Sequence, residues 1–132
     1  MNVYSSPNSD LFWEPTTQRL LFVWRSSAKK LNEDDVQTEF HRLLSFVKQY
    51  GAKSIVVDGK LYPYYGNFDL QGWIDFEFLR LAANAGIIRV AMIANPNEID
   101  VLKKEKLFES SELKQEYFHD IDAAIHWADK SN

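Results

Sequence analysis

Apolar positions along this chain follow two different spacings, and the switches between them mark out its elements. Residues 11–13 and 20–24, which read Leu-Phe-Trp and Leu-Leu-Phe-Val-Trp, are short runs of the aromatic and branched side chains that strands favour. Glu14, Pro15, Thr16, Thr17, Gln18 and Arg19 between them have turn character, so the pair predicts an antiparallel hairpin. Residues 26–30 form a polar connector. The spacing then becomes helical: Val36, Phe40, Leu43, Leu44, Val47 and Tyr50 fall on one stripe. Asn32 suits the N-cap, Glu33, Asp34 and Asp35 suit the positive first turn, and Leu31 is placed to staple against Val36. Gly51 supplies the stop.

Ser54–Asp58 is a continuous apolar run ending in an acid, the pattern of a parallel strand buried on both faces. A long loop over residues 59–68 follows. Asp69 then caps a second helix that runs to about Ala85 and closes at Gly86. Residues 87–94 read as another buried strand. Asn95, Pro96, Asn97 and Glu98 make a helix start with a cap and a first-position proline, and that helix runs to roughly Leu107. Residues 116–118 form a brief last strand. Asp120 caps a final helix with Ile121, Ala124, Ile125 and Ala128 on one face. The predicted order is β-β-α-β-α-β-α-β-α, an α/β fold with a mixed sheet opened by a hairpin. Residues 1–132 read as a single domain, with residues 1–9 loosely ordered.

Composition narrows the function classes. The chain has 132 residues, 45% hydrophobic and 26% charged, ordinary values for one globular domain with a sizeable core. Its net charge of −4 argues against a nucleic-acid partner, because phosphate contacts need a basic face. The densest basic run, Lys103, Lys104 and Lys106, is broken by Glu105 and reads as a solvated helix face. The chain has no cysteine, which removes thiolate chemistry and suits a reducing compartment. The first residues lack a basic segment followed by an apolar one, and no apolar run approaches a membrane span. The expected location is the cytoplasm.

The hairpin with residues 20–24, the helix ending before residues 53–58, the strand 88–94 leading into Asn95 and Pro96, and the terminal stretch from Tyr117 to Trp127 resemble a known family. They are similar to STAS-like domains, the fold of sulfate transporters and anti-sigma-factor antagonists, and more closely to small stand-alone bacterial members. The resemblance spans nearly the whole chain. It implies a non-enzymatic binding or regulatory module acting through protein–protein contacts. In the antagonists, the segment after the corresponding strand leads to a phosphorylatable Ser at a helix start, where an anion is favoured. Here residues 58–69 contain neither Ser nor Thr, so that phosphoswitch is not carried over. Asp69 reads either as a permanent charge in that place or as an ordinary cap.

Aromatics make up 14% of the chain, and a cluster of them falls in the loop of residues 60–68 as Tyr62, Tyr64, Tyr65 and Phe68. A loop at the carboxyl end of a buried parallel strand lies where open α/β sheets bind ligands. Its rings either contact a partner or fold back over the sheet end. Asp58 before it reads as a metal-binding or basic acid or as a turn-forming Asp-Gly. In the second helix, regular spacing puts Leu70, Ile74, Phe78, Leu81, Ala82 and Ala85 on the core face. Phe76, Leu79 and Ala83 then form a second apolar patch with Trp73 apart, covered either by the same chain or by another protein, most simply a second copy. His41 lies on the polar side of the first helix's stripe. His119 and His126 have no metal-ligand spacing, and neither a nucleophile elbow nor a phosphate loop is present, so no metal or cofactor is expected. The competing reading is a small-molecule or lipid-binding protein, or an enzyme, with its pocket near Asp58 and the Tyr-rich loop.

Overall fold

A computed structural model describes residues 1–26, 31–60, 72–104 and 112–130. Its strands are β1 (Asn2–Ser5), β2 (Ser9–Glu14), β3 (Arg19–Trp24), β4 (Ser54–Asp58), β5 (Arg89–Ile93) and β6 (Lys114–Phe118). Its helices are α1 (Glu33–Tyr50), α2 (Leu79–Asn84), α3 (Pro96–Lys104) and α4 (Ile121–Ala128), with a π-helical segment, Ile74–Phe78, running directly into α2. The strands form one sheet in sequential order, β1 to β6. The first three pair antiparallel and β3 to β6 pair parallel, so the fold is α/β with a mixed sheet.

Period-two alternation sorts the sheet's side chains onto two faces. Leu20, Ile55 and Val90 share one register row, and Phe22, Val57, Met92 and Tyr117 share another on the same face. These residues join Val36, Phe40, Leu43 and Val47 of α1, Ala82 of α2 and Ile99 and Leu102 of α3 in the main core. Val56, Ala91 and Ile93 point the other way and pack with Ala124 and Ala128 of α4. Three helices therefore cover one face, as same-handed crossovers between neighbouring strands require, and α4 lies on the other.

The caps follow from the residues that supply them. The Asn32 side chain accepts the Asp35 N–H at 2.8 Å, and Asp120 accepts that of Ala123 at 3.0 Å. Gly51 ends α1 at φ 67°, a left-handed conformation that costs a side-chain-bearing residue energy, and returns its N–H to the Val47 carbonyl.

The opening of the chain departs from the sequence expectation. Residues 2–5 are a strand, so the order begins β-β-β and the hairpin is flanked by an added edge strand. Polar side chains hid it, because its order comes from distant partners. Tyr4 packs at 5.6 Å from Phe46 of α1 and its hydroxyl accepts from Arg42. The start of β2 is tied to the same helix: Ser9, 0% exposed, donates to Glu39 of α1 at 3.1 Å, and Glu39 also pairs with Arg42. β1 is short and its register shifts between Asn2 and Tyr4, features that blunt an edge against further pairing. No helix among the described residues is long and apolar enough to cross a membrane.

Candidate functional site

The carboxyl end of the parallel strands is built by short links between successive crossovers. Gly59 leaves β4 and gives its N–H to the Ile93 carbonyl at 2.9 Å, and Ala94 leaves β5 and gives its own to the Phe118 carbonyl at 2.8 Å. Asp58 is half-buried there, and its carboxylate accepts the Lys60 N–H at 3.3 Å. This is the turn-forming role of an Asp-Gly step. Asn95 reaches across from the end of β5 and donates to the Lys60 carbonyl at 3.4 Å. The structure thus brings Asp58, Lys60 and Asn95 together at the mouth of the loop. Tyr62, Tyr64, Tyr65, Phe68 and Asp69 lie outside the described residues.

The segment that follows the loop is described from residue 72. The Leu79 N–H bonds to the Ile74 carbonyl, an i→i−5 step that widens the turn. The wider turn changes which side chains share a face. Regular spacing sets Leu79 on a second, outward patch. The π turn rotates it inward, and Leu79 is 0% exposed beside Ile74, Phe78 and Ala82 in the main core. Leu79 is therefore not part of any contact surface. Leu81 and Ala85, expected in the core, are only half-buried against it, as is Ala83.

Trp73, just before the π segment, and Phe76 within it are the two aromatics left accessible here. Trp73 is half-buried, tilted against Phe40 at 6.0 Å and edge-on to His41 at 5.4 Å. Phe76 is 61% exposed. Both follow the loop closely in sequence and belong to the layer of α1, α2 and α3. Of the four proposed contact residues, Phe76 is thus on the surface, Trp73 and Ala83 are at its margin, and Leu79 is inside. Between α1 and α2 runs a groove of about 480 Å³, lined by His41, Leu44 and Lys48 from one wall and Leu81, Asn84 and Ala85 from the other. Sequence reasoning placed His41 on the polar side of the stripe but did not find the groove. The signal was the 41, 44, 45, 48 spacing, a second helical stripe beside the core one.

Charged groups elsewhere have structural partners. Arg89, on β5, lies over the Trp127 ring at 5.0 Å and donates to the Trp127 carbonyl at 3.1 Å, while Arg19 pairs with Asp129. Arg89 at a last-turn carbonyl of α4 complements that end of its dipole, and both arginines hold the helix on the sheet. Asp10 receives two bonds from Arg25, at 2.9 and 2.7 Å, which with Ser5 hold its carboxyl below the ordinary value. Thr16 does the same for Glu14 through its hydroxyl and N–H.

No protein-family model, curated protein or solved structure matches the chain.

Proposed function

We propose that this chain is a STAS-like binding or regulatory module that works by contacting another protein, with the contact centred on Phe76 and the outer face of the helix behind it. Tyr62, Tyr64, Tyr65 and Phe68 precede this helix in the chain and belong to the reading through their residue types alone, and the Ser phosphoswitch of the antagonists plays no part. The sequential order of four strand–helix units behind an antiparallel opening supports the STAS-like reading.

One observation carries the functional reading. A Phe ring 61% exposed stands on a π-helical turn, in a chain whose other described Phe, Tyr and Trp residues are all buried or half-buried. Exposing such a ring forgoes burial worth about 1.5–3 kcal/mol. Aromatic anchors of this kind are the residues that dominate protein contacts, and π turns recur at functional positions.

The test is a photo-reactive phenylalanine analogue at position 76, expressed in the native cell and compared with the same analogue at Gln49, an exposed position near the end of α1. Illumination should give a discrete protein adduct at position 76 and none at position 49. Equal and diffuse labelling at both positions would remove the proposed contact.

A further inference from the structure

We propose that the amino-terminal edge of the parallel strands, where the last turn of α4 meets it, binds inorganic phosphate. The site lies on the opposite face of the sheet from Phe76, so it stands apart from the protein contact proposed above.

The strand register builds it. Arg19 of β3, Ser54 of β4, Arg89 of β5 and Lys114 of β6 pair in one row. The row stands two residues before Leu21, Val56 and Ala91, so period-two alternation puts its side chains on the face that α4 covers. The last turn of α4 reaches this row: Arg89 donates to the Trp127 carbonyl at 3.1 Å, and Arg19 pairs with Asp129. An open hollow of about 410 Å³ lies there, lined by Arg89, His126, Asp129 and Lys130. Arg89 is only 7% exposed, with its guanidinium over the Trp127 ring at 5.0 Å. The hollow thus has a fixed, buried cation in its wall.

Charge selects an anion. Glu14, opposite Arg19 on β2, is occupied by the Thr16 hydroxyl and N–H, and Asp129 is neutralised by Arg19. Glu116 lies on the next row along β6. Lys114 and Lys130 are exposed and form no ion pair among the described residues. The cationic excess therefore falls on Arg89, Lys130 and the neighbouring Lys114, in a chain whose net charge is −4.

Unpartnered atoms narrow the anion further. Arg19 Nε, Ser54 Oγ and Asp129 Oδ1 are buried and have no hydrogen-bond partner among the described residues. Buried polar atoms take a partner from protein, water or ligand. The first two can donate to an oxyanion, whereas Asp129 Oδ1 can only accept. Inorganic phosphate satisfies both kinds, since it keeps a proton throughout the neutral range and can give an O–H to Asp129. Sulfate carries no proton at neutral pH, and a phosphate monoester has largely lost its own.

The test is an NMR titration of the full, nitrogen-labelled chain at neutral pH and fixed ionic strength, with sodium phosphate, sodium sulfate and glycerol phosphate as probes. Phosphate should shift the backbone amides of Ser54, Arg89 and residues 126–130 saturably, with a dissociation constant of about 1 mM or tighter. It should lead sulfate and the ester by about tenfold, the cost of leaving a buried acceptor unpaired. Lys130→Gln, at an exposed position, should weaken phosphate about fivefold or more with the circular dichroism unchanged. Asp129→Asn should bring sulfate to within about twofold of phosphate. Absence of saturable shifts, or shifts confined to other residues, overturns the site. So does a Lys130→Gln chain that binds as wild type does. Sulfate or the ester binding as tightly as phosphate overturns the assignment of the ion, and an unchanged preference in Asp129→Asn overturns the role of that carboxylate.

Discussion

Helix α1 and the helix that contains the π segment pack side by side on one face of the sheet, yet they use their apolar residues differently. α1 is an 18-residue α-helix closed by Asn32 and Gly51, with Val36, Phe40, Leu43, Leu44 and Val47 all buried. Its neighbour is α-helical at residues 72 and 73, passes through a five-residue π segment and continues for six α-helical residues. It buries Ile74, Phe78, Leu79 and Ala82 and turns Phe76 outward. The same layer therefore contains a helix devoted to the core and a helix divided between the core and the surface. The extra residue per turn makes the division, because it brings two consecutive residues, Phe78 and Leu79, into the core and leaves the opposite crest to Phe76.

Breaking the α1 side should have the largest effect. Phe40 is 1% exposed and meets the rings of Phe22, Trp24, Trp73 and Phe78. Phe40→Ala should cost about 3–5 kcal/mol in urea unfolding, through lost transfer energy and a cavity. Leu79→Ala comes next and separates the π-rotated helix from a regular one. A buried Leu79 predicts a loss of about 2–5 kcal/mol, whereas a surface Leu79 predicts almost none. Asn32→Ala removes the α1 cap and should cost about 1 kcal/mol in the same assay. The smallest effect lies away from both helices, at the exposed Asp10–Arg25 pair. The folded pKa of Asp10 lies below its ordinary 3.8, so the pair's contribution is present above that pH and is lost as pH falls through the folded value. Asp10→Asn should therefore differ from wild type slightly at neutral pH and converge with it in acid.

The elements that were legible in sequence are those whose signals are local. Asn32, the first-turn acids, the stripe and Gly51 define α1 within its own residues, and Ser54–Asp58 is apolar throughout. β1 was not legible, because Tyr4 is ordered by Phe46 and Arg42, dozens of residues away. The second helix was legible as a helix but not in its phase. Its i→i−5 step leaves no mark in residue type, and every side chain after Ile74 shifts relative to a 100° wheel. Of the candidate site, Phe76 and Asp58 could be named from sequence. Of the groove, only the α1 wall left a mark, in the 41, 44, 45, 48 spacing, and the hollow itself exists only where two helices meet.

The central claim is that Phe76 is held outside the protein's own fold. Urea unfolding of Phe76→Asp, in dilute protein where association is negligible, tests it most directly. The account predicts a stability within about 0.5 kcal/mol of wild type, as for a surface position. A loss comparable to that of Leu79→Ala would contradict it and return the ring to the core.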